Sequence, residues 1–201
     1  MKTTGYIAAL VACVTCMLSF QAGLFDRVHL ERTTAGPFDQ IYREYGGPYQ
    51  GLRYVMTDVS RYLEDSLGME ADRGFGVYFH DSAATPGKLT GIAGCLARDP
   101  GRPLGGPYRF RRMEAADALV GTFPLRTFMS YMSGFWKFYP ALRRYLEKNG
   151  CAAAGPVMEV YDLRQRTIMY VAPIAGCPPA LISADSRPDV PVVRRAPAAR
   201  R

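Results

Sequence analysis

Residues 157–173 read VMEVYDLRQRTIMYVAP, two apolar runs separated by a short polar stretch, and this segment decides the fold. Residues 157–161 and 167–173 are rich in β-branched and aromatic side chains, which predicts two strands. Residues 162–166 supply the turn between them. The segment therefore predicts a β-hairpin near the C-terminal end of a folded domain.

Upstream of this hairpin lie two strand-like runs and a long helix. Residues 108–113 and 118–123 predict strands, and aromatic-rich residues 128–148 predict a helix that Asn149-Gly150 closes. Pro140 has no amide hydrogen and clashes with the preceding turn, so the helix is expected to break near residues 134–139 and to restart at Pro140.

The first half of the chain repeats this order. Its predicted elements are strands 28–31 and 39–45, interrupted at Gly36-Pro37, a helix over 52–67 that Gly68 ends, and strands 74–80 and 89–96 around the turn-rich residues 81–88. The sequence therefore predicts an α+β domain of two pseudo-symmetric strand-helix-strand-strand repeats. The helices are expected on one sheet face, and the opposite face is expected to form a shared cleft.

Composition supports one globular domain with additional segments. The chain has 201 residues, of which 48% are hydrophobic and 21% charged, which excludes long disorder and a coiled coil. The net charge is +7, and residues 178–201 contribute +3 of it, from five arginines against two aspartates. This aromatic-free stretch predicts a disordered basic Pro/Arg tail. The charge is a weak indication of an anionic partner, and no specific nucleic-acid binding is expected.

The N-terminal segment is apolar. No charged residue stands between Lys2 and Asp26, and residues 6–25 as a helix would reach ~30 Å, the thickness of a bilayer core. Residues 1–25 are therefore predicted to form a membrane anchor that contacts lipid. A cleaved signal peptide is the alternative, although cleavage after Ala22 would put Phe20 where a small residue is preferred.

Five cysteines give no clear pairing. Cys13 and Cys16 lie in the apolar segment, whereas Cys95, Cys151 and Cys177 lie in the domain at 26–177. This spacing is poor for a disulfide or a zinc site, so a reducing compartment is expected. No cofactor motif is present either, because the Gly-Gly-Pro turns lack the Lys-Ser or Lys-Thr of a phosphate loop.

Several short segments carry a family resemblance. The C-terminal ones are Tyr139-Pro140-Ala141-Leu142, Tyr145-Leu146, Asn149-Gly150 and residues 155–162, and the others are Gly47-Pro48-Tyr49, residues 76–79, Pro86, Gly94 and Thr122-Phe123-Pro124. Together they resemble gyrase-inhibitor-like, effector-binding domains, and among these the testis-expressed ER-phagy receptor family. The resemblance covers roughly residues 6–177.

The resemblance implies an endoplasmic-reticulum membrane protein, single-pass, with its domain facing the cytosol and a role in reticulophagy. Animal members bind a ubiquitin-like autophagy modifier through an acidic C-terminal segment with an aromatic-x-x-aliphatic motif. Here the tail is basic and has no aromatic residue, so that docking motif is not evident.

Glu159 is the candidate ligand-binding residue. Side chains alternate along a strand, so Glu159 and Tyr161 share one face, and they look into the cleft if Met158 and Val160 pack under the helices. A carboxylate beside aromatic rings suits a small organic cation. The resemblance implies the same role, or an acid/base role in hydrolysis. The alternative is an exposed Glu159 paired with Arg164 or Arg166.

Trp136 is the third candidate ligand-binding residue, as a residue at the edge of the cleft, although the aromatic residues around it are typical of a core.

The leading functional prediction is an ER-anchored, non-enzymatic binding protein resembling ER-phagy receptors. The alternative is a membrane-tethered sensor or hydrolase of small organic molecules that uses Glu159. A secreted or lumenal protein released by signal cleavage is a third possibility.

Overall fold

The computed structural model describes residues 2–48, 51–79 and 89–178. The predicted turn at 81–88 and nearly all of the predicted tail at 178–201 lie outside these ranges. The elements in chain order are α1 (Lys2–Gln21), β1 (His29–Ala35), β2 (Phe38–Gly47), α2 (Leu52–Leu67), β3 (Arg73–Phe79), β4 (Leu89–Leu96), β5 (Arg109–Met113), β6 (Ala116–Pro124), α3 (Met129–Asn149), β7 (Ala152–Ala153), β8 (Met158–Asp162) and β9 (Thr167–Ala175).

The α+β class and the repeated order are confirmed. Gly68 ends α2 and Gly150 ends α3, each in the left-handed conformation that glycine adopts without steric cost. Residues 157–173 form the predicted hairpin, in which Met158 pairs with Val171 and Asp162 with Thr167. Each repeat has two strands before its helix, one more than in the predicted strand-helix-strand-strand unit, and a pair of strands after it. The second repeat also contains the short β7.

The sheet is antiparallel and exchanges strands between the repeats. Its order is β1-β6-β9-β8-β3-β4-β2-β5, with the short β7 paired to β9. The first strand of each repeat lies at the edge of the other repeat's half: β1 pairs with β6, and β5 pairs with β2. At the centre, β3 and β8 join the two halves.

Both helices cover the same face of the sheet, as predicted. The register aligns Cys95 with Gly74 and Gly74 with Tyr161, so these positions share a face. Cys95 packs in the cluster under α2, and Tyr161 packs in the cluster under α3. Since paired residues point to the same side of a sheet, the helix face is continuous from α2 to α3.

The other face holds a second apolar core, and the cleft predicted there is wrong. Strands from both halves contribute to it, including Phe75 and Ile92 from one half and Ala118 and Val171 from the other. The sheet therefore curls into a half-barrel that fills its own inner face with side chains. All members of this cluster come from strands or their ends.

Pro140 lies inside α3, so the predicted helix break is wrong. Proline removes the hydrogen bond that the carbonyl of residue 136 would accept. Because residue 136 lies on the exposed side of the helix, water can satisfy that carbonyl and the helix continues.

Cys151 and Cys177 form a disulfide with a Cα–Cα distance of 4.4 Å, which corrects the expectation of unpaired thiols in the domain. The two residues are 26 apart in sequence. The pairing of β7 with β9 places Ala152 opposite Ala175, which brings the flanking cysteines together. Sequence spacing could not reveal this contact because it depends on the sheet register.

The N-terminal segment is helical, and its end packs on the domain. Gly23 lies against the Phe123 ring, and Arg126 forms an ion pair with Asp26 at 2.6 Å. Within the described residues, no helix is both long and apolar enough to cross a membrane, so the predicted transmembrane anchor gains no support.

Candidate ligand-binding site

Glu159 lies at the centre of the sheet, in β8, paired with Gly76 of β3 on one side and Tyr170 of β9 on the other. Its side chain is only 1% exposed. It points to the helix face, while Met158 and Val160 point into the inner core of the half-barrel. Met158 and Val160 therefore do not pack under the helices. Glu159 and Tyr161 share one face of β8, as predicted, and it is the helix face.

Two tyrosine hydroxyls donate hydrogen bonds to the Glu159 carboxylate. Tyr161 Oη lies 2.6 Å from Oε2, and Tyr139 Oη lies 3.2 Å from Oε1. Tyr78 Oη lies 3.3 Å from Tyr161 Oη. Because a hydroxyl has one proton and Tyr161 gives it to Glu159, Tyr78 donates to Tyr161. The result is a chain of hydrogen bonds that runs from β3 to the carboxylate.

One side of α3 supplies an aromatic wall over this chain. The Tyr131 ring lies 5.2 Å from the Tyr161 ring, and burial raises the pKa of Tyr131 above its usual value. The Phe135 ring lies 4.5 Å from the Tyr139 ring. Phe128, on the outer side of Tyr131, and Phe135 are both exposed. The rings of Tyr131 and Tyr139, with the exposed Phe128 and Phe135 next to them, therefore lie between the carboxylate and solvent.

Two glycines of β3 lie on the helix face of the sheet, directly beside Glu159 and Tyr161. Gly76 pairs with Glu159, and a Cβ there would lie 3.1 Å from Tyr78 Oη. Gly74 pairs with Tyr161, and its Cβ would lie 2.9 Å from the Met56 sulfur of α2. The absence of side chains lets Tyr78 and Met56 close over the sheet beside the carboxylate.

The structure brings two of the three predicted site residues together. Glu159 and Tyr161 are in contact, whereas Trp136 is 71% exposed and lies on the opposite side of α3 from the residues that the helix buries. The alternative ion pair of Glu159 is wrong. Arg164 instead contacts Glu70 and Asp72, and Arg166 donates to the carbonyl of Arg126.

Sequence reasoning missed Tyr78, Tyr131, Tyr139 and Gly76. A signal for two of them was present in RGFGVY at residues 73–78, where glycines and a tyrosine alternate on one face of the strand. Tyr131 and Tyr139 could not be distinguished from the other aromatic residues of the helix, because aromatic residues occupy more than one of its faces.

The arrangement suits recognition of positive charge. An ionised carboxylate accepts hydrogen bonds, and tyrosine rings attract cations through their faces, so the group offers both charge and ring contacts. A metal centre has no support in the described part of the chain, where no group of three or more His, Cys, Asp or Glu side chains could hold an ion.

No protein-family model and no curated protein matches the sequence. Similar solved structures do exist. The EcmrR chain in its complex with DNA has a TM-score of 0.57 at 12% identity, over 86% of this chain and 67% of that one. The EcmrR C-terminal domain has a TM-score of 0.51 at 11% identity, over 74% and 97% of the respective chains.

An uncharacterized conserved protein from Listeria innocua has a TM-score of 0.50 at 10% identity, over 73% of this chain and 92% of that one. At such identities the likeness shows the fold alone. The protein has a fold similar to that of these chains, the gyrase-inhibitor-like fold. The comparisons give no support to the ER-phagy receptor family.

Proposed function

We propose that this protein is a binding protein for small organic cations, with Glu159 as the charge that recognises them. The observation that carries the proposal is a carboxylate buried at the sheet centre and held by Tyr139 and Tyr161. Burial weakens solvent screening, so a cation that reaches this carboxylate interacts with it more strongly than at a surface.

Entry requires movement of the aromatic wall. Tyr131 and Tyr139 belong to α3, and their rings lie between the carboxylate and the exposed Phe128 and Phe135. A flat or globular organic cation would displace these rings and pack against them. A hydrated metal cation would gain no such ring contacts, so the site favours organic cations.

Binding is a better fit than hydrolysis. A general base must contact the water that it activates. Both Glu159 oxygens instead accept hydrogen bonds from tyrosines, and the side chain is buried. The role of an ER-phagy receptor, with an autophagy-modifier partner, gains no support from the comparisons and is not part of the proposal.

The test is calorimetry and thermal denaturation of the full chain with tetraphenylphosphonium. Tetraphenylborate has the same shape and the opposite charge, so it is the matched control ligand. The phosphonium is expected to bind and to raise Tm, with a stabilisation of ~2.7 kcal/mol at 100 times its Kd. The borate is expected to leave Tm unchanged.

Glu159→Gln is expected to abolish phosphonium binding while keeping the shape of the side chain. Glu147→Gln, at an exposed position on the same helix that carries the wall, is the matched control and is expected to bind normally. Equal binding of phosphonium and borate, or unchanged phosphonium binding by Glu159→Gln, would contradict the proposal.

We also propose that the domain faces an oxidising compartment. The support is the Cys151–Cys177 disulfide, because such bonds persist outside the cytosol and are rare within it. This orientation is opposite to the predicted one, an ER membrane protein with its domain in the cytosol. Protease treatment of sealed microsomes is expected to leave a C-terminal tag intact, and digestion of that tag would contradict the proposal.

A further inference from the structure

The outward side of α3 is apolar. Phe128, Met129, Met132, Phe135 and Trp136 are 40–71% exposed and follow one another along this side of the helix; we call these five residues the outer face. The helix buries Ser130, Gly134, Phe138 and Leu142 on its other side. An exposed apolar patch of this kind marks a surface that binds a partner.

Helix α1 exposes a second set of large apolar side chains. Its large apolar side chains between Leu10 and Met17, together with those that follow up to Phe25, are 44–69% exposed. Its C-terminal end and the turn that follows contact β6, the segment just before α3, and Lys137 in the middle of α3. Lys137 Nζ donates to the carbonyl oxygens of Gly23 and Leu24, both at 2.7 Å. The turn that follows α1 is therefore tied to α3.

Arg126 strengthens this connection. Its guanidinium donates to the carbonyl of Phe20 and to the carboxylate of Asp26, and it lies 5.0 Å from the Phe20 ring centre. The end of α1 is therefore also tied to the segment just before α3.

Basic side chains flank the apolar patch. Arg143 lies seven residues after Trp136, two turns further along the same side of α3, and it is exposed, as is Glu147 one turn beyond it. Arg27 is exposed where the chain leaves α1. Helices that lie at the surface of a bilayer combine large apolar side chains, such as tryptophan and phenylalanine, with basic ones such as arginine.

We propose that the outer face of α3 is a membrane-docking surface, which rests on an anionic lipid bilayer beside α1. The apolar residues enter the boundary between headgroups and acyl chains, and Arg143 and Arg27 contact lipid phosphates. A second copy of the chain is the competing occupant that the test distinguishes.

The chain contains a single tryptophan, so Trp136 reports on the proposed surface directly. The full chain is mixed with vesicles of phosphatidylcholine and phosphatidylserine. Trp136 emission is expected to shift to shorter wavelength, and lipids brominated near the headgroup are expected to quench it. Flotation alone does not decide the question, since α1 by itself can bring the chain to the vesicle.

Met132→Asp places a charge in the middle of the outer face and is expected to return Trp136 emission to that of the protein in buffer. Leu163→Asp adds the same charge at an exposed leucine in the β8–β9 turn and is the matched control, expected to behave as the unaltered chain.

Two results would overturn the proposal. The first is a chain that floats with vesicles while Trp136 keeps its emission in buffer and resists quenching, which would mean that α1 binds lipid and the outer face does not. The second is a shift that develops with protein concentration without vesicles, which would make a second copy the partner.

Discussion

Gly134 of α3 lies directly against the hydroxyl of Tyr170 in β9. A Cβ at position 134 would lie 2.4 Å from Tyr170 Oη and 3.2 Å from Phe123 Cδ1. The Tyr170 ring is stacked on Phe138 with centroids 4.5 Å apart, so it cannot easily move aside. The glycine thus sets how closely α3 approaches the sheet beside Glu159.

Gly134→Ala is expected to destabilise the protein by about 1–2 kcal/mol, because overpacking outweighs the gain of ~1 kcal/mol in helix propensity. In a Tyr170→Phe background the nearest atom is gone, and the same substitution should cost much less. A double-mutant cycle of urea unfolding measures this coupling. Equal costs in the two backgrounds would show that the hydroxyl does not set the helix position.

Tyr161→Phe removes the hydroxyl that donates to Glu159 at 2.6 Å. A hydrogen bond to a charged group contributes roughly 1.5–3 kcal/mol, so the free energy of unfolding should fall by about that amount. Tyr139→Phe should cost less, since its hydroxyl is 3.2 Å from the carboxylate. Urea denaturation of both variants tests the order, and a larger loss for Tyr139→Phe would contradict it.

Thiol reactivity should separate the three unpaired cysteines. Cys13 and Cys16 are exposed, whereas burial raises the pKa of Cys95 to about 12. A pKa higher by three units lowers the thiolate fraction at pH 8 roughly a thousandfold, and the thiolate is the reactive form. Maleimide labelling of the folded protein should therefore spare Cys95 and modify it after denaturation, as peptide mass spectrometry can show. Rapid labelling of Cys95 in the folded state would contradict this.

The Cys151–Cys177 disulfide should stabilise the domain by about 3 kcal/mol, because it closes a loop in the unfolded chain. Cys177→Ser is expected to lower the free energy of unfolding by that amount. Reductant should destabilise the unaltered protein to the same extent. Cys177→Ser is itself the control for the reductant, since its stability should not respond to dithiothreitol.

Lys137 is expected to hold the turn that follows α1. Desolvation lowers the pKa of its ammonium group, which donates to backbone carbonyls between residues 23 and 26. Lys137→Met keeps the length of the side chain and removes the donor, so amide hydrogen exchange at residues 22–26 should accelerate. Lys148→Met, in the exposed last turn of α3, should leave that exchange unchanged.

Most of the elements could be predicted from local sequence. The β4 strand has the predicted bounds, and α2 ends at Gly68 as predicted, because strand alternation and a glycine cap act over a few residues. Pro140 shows the limit of such rules. Its effect depends on whether the carbonyl that loses its partner faces solvent, which local sequence does not state.

The site could be predicted only in part. Alternation placed Glu159 and Tyr161 on one face, but both faces of β8 are buried, so the pattern could not say which face meets the helices. The disulfide depends on the pairing of β7 with β9. Tyr78 and Tyr139 reach the carboxylate from β3 and α3, through contacts that exist only after the repeats assemble.

The exchange of β1 and β5 across the sheet makes each repeat depend on the other. A polypeptide with one repeat alone would lack the edge strand that the other repeat supplies, and that strand could come only from another molecule. Neither half of the chain is therefore expected to fold by itself. Gly76 and Glu159, paired where the two halves meet, show the same dependence at the site: one repeat leaves the space and the other carries the carboxylate.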